Sequence, residues 1–159
     1  MSIPQQLPIR LRVGKKTDVR SQFAALCFRN SGADTEICLI TSRGTGRWVL
    51  PKGWPMHKIT PASAAAREAW EEAGLTGVAF DHCMGAYSYI KPLKEKRAPV
   101  IAMVYPLHVI SEHAHWPERK QRKRQWFPQA EAARLVAEPE LQNMIRNFDP
   151  SVLGYGRPL

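Results

Sequence analysis

Three glutamates crowd into the run Arg67-Glu68-Ala69-Trp70-Glu71-Glu72-Ala73-Gly74-Leu75. Upstream, Thr60 suits an N-cap and Pro61 suits the first helical position, where a missing N–H costs nothing. Ala62, Ala64, Ala65, Ala66 and Ala69 favour helix, and Gly74 can close it in a left-handed conformation. On the helix expected over residues 61–73, Glu68, Glu71 and Glu72 stand at i, i+3 and i+4 and share one face. Carboxylates this close repel unless a cation lies between them. Oxygen-only ligands favour a hard divalent ion, Mg²⁺ or Mn²⁺. The plain alternative is a solvated acidic stripe. Against it, the chain has 14 acidic residues against 23 basic ones, and these three sit near a helix C-terminus, where the macrodipole disfavours negative charge.

The elements that must position this helix read as a mixed chain. Arg47-Trp48-Val49-Leu50-Pro51-Lys52-Gly53 is a strand (Trp48 to Leu50) running into a Gly/Pro loop, which places the helix entrance beside a sheet edge. Arg20 to Arg29 and Glu36 to Arg43 read as a hairpin around the turn Asn30-Ser31-Gly32-Ala33-Asp34. Further strands are expected near Val78 to Tyr89, after Thr76-Gly77, and over Ala98 to Val109. Helices follow at Gln129 to Val136 and Pro139 to Asn147. Residues 1–18 read as an arm and 150–159 as a tail. The class is α/β, a sheet packed between helices.

At 159 residues and 44% apolar composition, one domain spanning 1–159 is expected, large enough for a proper core. No apolar run is long enough to cross a membrane, and the N-terminus lacks a signal-peptide apolar segment. Cys27, Cys38 and Cys83 have no metal-ligand spacing, and the first two lie in apolar strand patterns. Buried free thiols in a reducing cytoplasm are the expectation.

The pattern Gly53, then Arg67-Glu68-Ala69, then Glu71-Glu72, Gly74 and Leu75, resembles the box of the Nudix hydrolases. It departs from the box at one position, where Ile59 stands in place of the family's first Glu. The segments at 24–29, 37–43 and 47–53, the basic turn Lys94-Glu95-Lys96-Arg97, and Arg122-Lys123-Arg124-Gln125-Trp126-Phe127 resemble the diphosphoinositol polyphosphate and diadenosine polyphosphate phosphohydrolases. The resemblance covers about residues 20–145. It implies a Nudix α/β/α sandwich with a mixed sheet and Mg²⁺- or Mn²⁺-assisted hydrolysis of a phosphoanhydride. Glu68, Glu71 and Glu72 would be the metal ligands, and Arg67, Glu71 and Glu72 the catalytic set. In the family Arg67 pairs with the box position held here by Ile59, so Arg67 needs another partner and activity is expected to be weakened but kept. Ser42, Arg43, Lys52, Gly53, Lys96, Arg97, Arg122 and Arg124 are carried over as substrate-binding positions. Gly53 on its own residue type is expected to let the chain turn beside the site.

The formal charge of +9 asks for an anionic partner. Basic residues cluster at Arg10 to Arg20, Lys91 to Arg97, and Arg119 to Arg124. Carboxylates holding cations and cations holding phosphate oxygens make a consistent division of labour. An anionic phosphorylated small molecule is the expected partner; nucleic acid is less favoured, since no motif supports it. Alternatives are a hydrolase of another nucleoside diphosphate derivative such as ADP-ribose, or a non-catalytic polyphosphate- or RNA-binding module. Asp81, Glu95, Glu112 and Glu118 compete as general base with Glu71 and Glu72. Trp48, Trp54, Trp70 and Trp126 could stack on a base, although core or rim is the commoner place for them. His113-Ala114-His115 could chelate a metal, and His57 could touch substrate; both read more simply as solvated loop.

Overall fold

A computed structural model of the chain describes residues 20–93 and 96–154, and the side chains of residues 92–97 are left aside. The arm at 1–18, Lys94, Glu95 and the last five residues of the tail lie outside the described residues.

The strands are β1 (Arg20–Ser31), β2 (Asp34–Thr41), β3 (Trp48–Val49), β4 (Lys52–Gly53), β5 (Leu75–Ala79), β6 (Gly85–Leu93), β7 (Lys96–Glu112) and β8 (Arg124–Pro128). The helices are α1 (Pro61–Ala73), α2 (Gln129–Leu135) and α3 (Pro139–Arg146), followed by a 3₁₀ turn at Pro150–Leu153. All eight strands join one mixed sheet with the path β3-β2-β1-β7-β5; β4 pairs with β1, β6 with β7 and β8 with β2. β1 and β7 run parallel from Arg20 opposite Val100 to Phe28 opposite His108, and the remaining pairs are antiparallel.

The strand period of two sorts the sheet's faces. Along β1, Ala24, Leu26 and Phe28 join Ala132, Ala133, Leu141 and Ile145 in one core, under α2 and α3. Phe23, Ala25 and Cys27 join Ala62, Ala65, Ala69 and Ala73 in the other, under α1. The fold is thus an α/β/α sandwich, and both faces of β1 are dry. Small alanines on α1 let the helix lie close over the sheet.

The box helix has the expected limits. Thr60 Oγ1 accepts from the Ser63 N–H at 3.3 Å, and Gly74, at φ 66°, donates to Ala69 and Trp70 carbonyls. The β7–β8 connection and the first residue of β8 satisfy the carbonyls left over at the C-terminus. The Glu118 N–H donates to Glu71 O at 3.0 Å, Trp116 Nε1 to Glu72 O at 3.1 Å, and Arg124 Nη1 to Ala73 O at 2.8 Å. A guanidinium at this end also offsets the dipole, worth about 0.3–1 kcal/mol. Gly74 is obligatory twice over, because a Cβ there would also lie 2.6 Å from the Trp116 ring.

Three sequence expectations need correction. The stretch near 78–89 is two strands: β5 starts at Leu75, directly after the helix cap, and a break at residues 80–84 precedes β6. β7 is longer than Ala98 to Val109, because it pairs with β1, β5 and β6 in succession. Lys52–Gly53 is not loop but a short strand against Phe23 and Ala24.

Candidate active site

A cavity of about 400 Å³ opens where β4, the end of α1, the 42–47 loop and the β7–β8 connection meet. Glu68 and Glu72 form its acidic floor. Arg43, Arg47, Lys52, Lys91 and Arg122 line it, along with Gln22, Tyr89, Trp54, Glu118 and Glu138.

The three box glutamates share a helix face but not an environment. Glu68 and Glu72 are buried, with 9% and 6% of their surface exposed, and are neighbours one helical turn apart. Glu71 is half-exposed and does not line the cavity; its Oε1 accepts from Arg67 Nε at 3.3 Å. That pair supplies the partner Arg67 needs. Ile59, in place of a carboxylate, packs against the α1 core instead and anchors the 54–60 loop by apolar contact.

Burial dominates the electrostatics. It pushes Glu72 up from 4.5 to about 8, against the pull of the Arg122 guanidinium and with a further push from Glu68. Glu68 is raised too, chiefly by burial. Burial drives the Lys52 ammonium down from 10.5 to about 8, with Glu72 opposing. Lys52 Nζ stands 5.1 Å from the centre of the Tyr89 ring, and the Tyr89 hydroxyl donates to the buried Gln22. The Lys52 backbone N–H faces Glu72 Oε1 at 3.5 Å.

Gly53 has a reason the sequence did not suggest. Its φ is not positive, so no turn demands glycine. A Cβ there would lie 2.3 Å from the Glu68 carboxylate, so the backbone of β4 and that carboxylate touch directly. Two buried carboxylates one helical turn apart, with backbone pressed against one of them, make a donor set whose chemistry suits a hard divalent cation. Among the described residues no three His, Cys, Asp or Glu side chains are already gathered around one point.

Arg122 is the hub of the rim. Its side chain is 9% exposed; Nη2 lies 3.4 Å from Glu72 Oε1, Nε donates to Glu118 Oε1 at 3.0 Å, and Nη1 donates to Thr41 O at 3.2 Å. Arg43 is exposed and its Nη1 donates to Gln121 Oε1 at 3.0 Å, with Glu118 Oε1 at 3.9 Å. Ser42 shapes the loop: Oγ bonds Thr45 Oγ1 at 2.6 Å and accepts from the Arg47 N–H at 3.0 Å.

The structure brings together Ser42, Arg43, Lys52, Gly53, Glu68, Glu72 and Arg122. It places Arg124 elsewhere, capping α1 and stacked 4.2 Å from the Trp116 ring centre. Lys96 and Arg97 open β7, but their side chains are outside the described set. Among the base candidates, Glu118 lines the cavity, whereas Glu112 binds Arg29 and Trp126 away from it. Asp81 does not line the cavity and Glu95 is not described. Trp48 packs on Phe127, Trp70 on His113 and Trp126 beneath Arg29; Trp54 alone of these four tryptophans lines the cavity. His113 bonds Thr76 and His115 faces Arg119, so the two do not share a ligand, and His57 is exposed outside the cavity. Sequence reading missed Gln22, Tyr89 and Glu138. A glutamine beside an apolar strand run was the only local signal for any of them.

The family model described as NUDIX domain matches residues 20–148. Among curated relatives, Nudix hydrolase 16, mitochondrial, of Arabidopsis thaliana is 33% identical over 119 residues, 72% of this chain and 66% of that protein. Diphosphoinositol polyphosphate phosphohydrolase 3-beta of Homo sapiens is 28% identical over 131 residues, 81% of this chain and 76% of that one. Among solved structures, a C. elegans Ap4A hydrolase binary complex superposes with a TM-score of 0.62 at 20% identity, covering 86% of this chain and 99% of the other. A MutT protein from Methanosarcina mazei Go1 gives 0.60 at 24% identity, over 87% and 98%.

Proposed function

We propose a function from one premise: the chain belongs to the NUDIX domain family and is a hydrolase of the Nudix kind. The reaction is hydrolysis of a phosphoanhydride bond in a phosphorylated small molecule, of the diphosphoinositol polyphosphate or diadenosine polyphosphate type, assisted by Mg²⁺ or Mn²⁺. The observation that carries this is the buried Glu68–Glu72 pair facing Arg43, Lys52 and Arg122 across one cavity.

Glu68 and Glu72 would hold the ion, with Glu71 next to them on the same helix. When bound, it supplies charge neutralisation at the phosphates and acidifies a coordinated water. The rest belongs to the chain's own residues. Arg43, at the open rim, takes phosphate oxygens first. Arg122 is fixed by Glu72 and Thr41, so it presents a guanidinium whose geometry is set before substrate arrives. Lys52, half-buried beside Glu72, brings a positive charge to the same wall of the cavity. Gly53 keeps the backbone close to Glu68, so that carboxylate has little freedom to swing. Trp54 offers an apolar plate at the rim for whatever the phosphates are attached to.

A second reading, a non-catalytic polyphosphate-binding module, draws on the Arg67–Glu71 pair, which turns one box carboxylate away from the cavity. Among the described residues no helix is long and apolar enough to cross a membrane. Cys27 and Cys38 are buried free thiols, as a reducing compartment would keep them; a cytoplasmic site is proposed on that ground.

A phosphate-release screen with Mg²⁺ and Mn²⁺ tests the reading. It would cover diphosphoinositol polyphosphate, diadenosine polyphosphates, ADP-ribose and nucleoside triphosphates, with Glu72→Gln as control. Metal-dependent turnover that disappears in Glu72→Gln is the expected result. A folded protein that turns over none of these, yet binds them, would point to the module.

A further inference from the structure

We propose that Glu118 is a specificity-determining residue, a resident carboxylate standing where a substrate phosphate group would otherwise sit between Arg43 and Arg122. The proposal rests on the reading of the cavity as a polyphosphate site and adds a selection rule to it.

One oxygen of Glu118 serves two guanidiniums from separate stretches of chain. Glu118 Oε1 accepts from Arg122 Nε at 3.0 Å and lies 3.9 Å from Arg43 Nη1. Two arginines converging on one oxyanion form the donor geometry that also receives a phosphate. The carboxylate is delivered there by a built turn, not a loose loop. The Glu118 N–H donates to Glu71 O, and its carbonyl accepts from the Gln121 N–H at 2.9 Å. That ties Glu118 to the last turn of α1, the turn that carries Glu72. The Glu118 side chain is 21% exposed and lines the cavity.

Arg122 does not depend on Glu118 alone, since Glu72 and Thr41 O also hold it. A neutral acceptor at 118 would therefore suffice for structure. The negative charge is what remains unexplained by packing, and its effect on an incoming anion is unfavourable. A phosphate chain must displace Glu118 from the two guanidiniums or settle beside it, and Glu138 adds a second negative wall. The opposition grows with ligand charge. Of the two substrate types proposed, the site is therefore tuned toward the linear diadenosine polyphosphate type and against the densely phosphorylated diphosphoinositol polyphosphate type.

Calorimetric binding of inorganic pyrophosphate and tripolyphosphate to the metal-free protein, in the wild type and Glu118→Gln, tests this without turnover. Glutamine keeps an oxygen for Arg122 and removes the charge. Tripolyphosphate is expected to bind about tenfold more tightly to Glu118→Gln, with a smaller gain for pyrophosphate and both gains shrinking at high salt. Glu118→Asp, which keeps the charge, is expected to show no gain. If Glu118→Gln does not fold, Glu118→Ser removes the same charge at the same turn. Equal or weaker tripolyphosphate binding on removal of the charge, with the wild type binding measurably, overturns the role of Glu118 and leaves the polyphosphate reading in place. Binding by neither protein, with or without Mg²⁺, overturns both.

Discussion

The last turn of α1 and the 42–47 loop face each other across the cavity and are built in opposite ways. Glu68 and Glu72 are buried on a helix whose end is fastened by Gly74, Trp116, Glu118 and Arg124. Arg43 and Arg47 are exposed on a loop held by Ser42 and Thr45. On the proposed reading, chemistry that needs placement within a fraction of an ångström falls to the rigid side, and capture of a charged ligand to the adaptable side. Arg122 belongs to both, being buried like the floor and basic like the rim.

Glu72→Gln breaks the rigid side outright. Activity should fall about 10³-fold, as when a preorganised charge is removed from a reacting centre, while thermal unfolding shows the fold intact. Glu71→Gln, by contrast, should cost about tenfold, the scale of a supporting residue. Equal losses in the two would mean that the helix face acts as one unit.

Gly53→Ala tests how tightly that side is held. The new Cβ forces the Glu68 carboxylate to move, and a displaced ligand should lower kcat about 10²-fold, with KM little changed. Arg43→Ala, on the rim, should do the reverse and act mainly on KM.

Ile59→Glu sharpens the comparison from the other direction. A carboxylate at 59 competes for Arg67 and frees Glu71, so activity should rise several-fold, about the scale of a supporting contact. The gain should vanish in an Arg67→Ala background.

A last effect concerns pH. The folded metal-free protein holds a proton on Glu72 between 4.5 and about 8 that the unfolded chain has lost. Stability should therefore fall as pH rises through that window. Lys52 acts oppositely: the unfolded chain is the more protonated between about 8 and 10.5, so its contribution rises with pH there. Thermal unfolding from pH 5 to 8 should show the decline, and saturating Mg²⁺ should flatten it.

What the sequence made legible was what repeats locally. The cap at Thr60, the alanine stripe and Gly74 defined α1 to the residue, because each acts within one turn. The apolar run of β1 marked a strand, but not which of its residues faced which core. The cavity was harder. Gly53 looked like a turn residue, yet it is required by a carboxylate fifteen positions away, and no local rule reports that distance. Arg124 shared a basic run with Arg122, but Arg122 lies before β8 and reaches Glu72, whereas Arg124 opens the strand and reaches the α1 carbonyls. Glu138 reaches the cavity only because α3 packs on β6 and α2.

The account turns on Glu68 and Glu72 being the seat of a divalent ion, and proton release on Mg²⁺ binding tests that most directly. Calorimetry at pH 7 in buffers of different ionisation enthalpy should find a proton released per Mg²⁺ bound to the wild type, because the ion displaces the proton that burial keeps on Glu72. Glu72→Gln should release none and bind Mg²⁺ far more weakly. Mg²⁺ binding with no proton release, or undiminished in Glu72→Gln, would contradict the account.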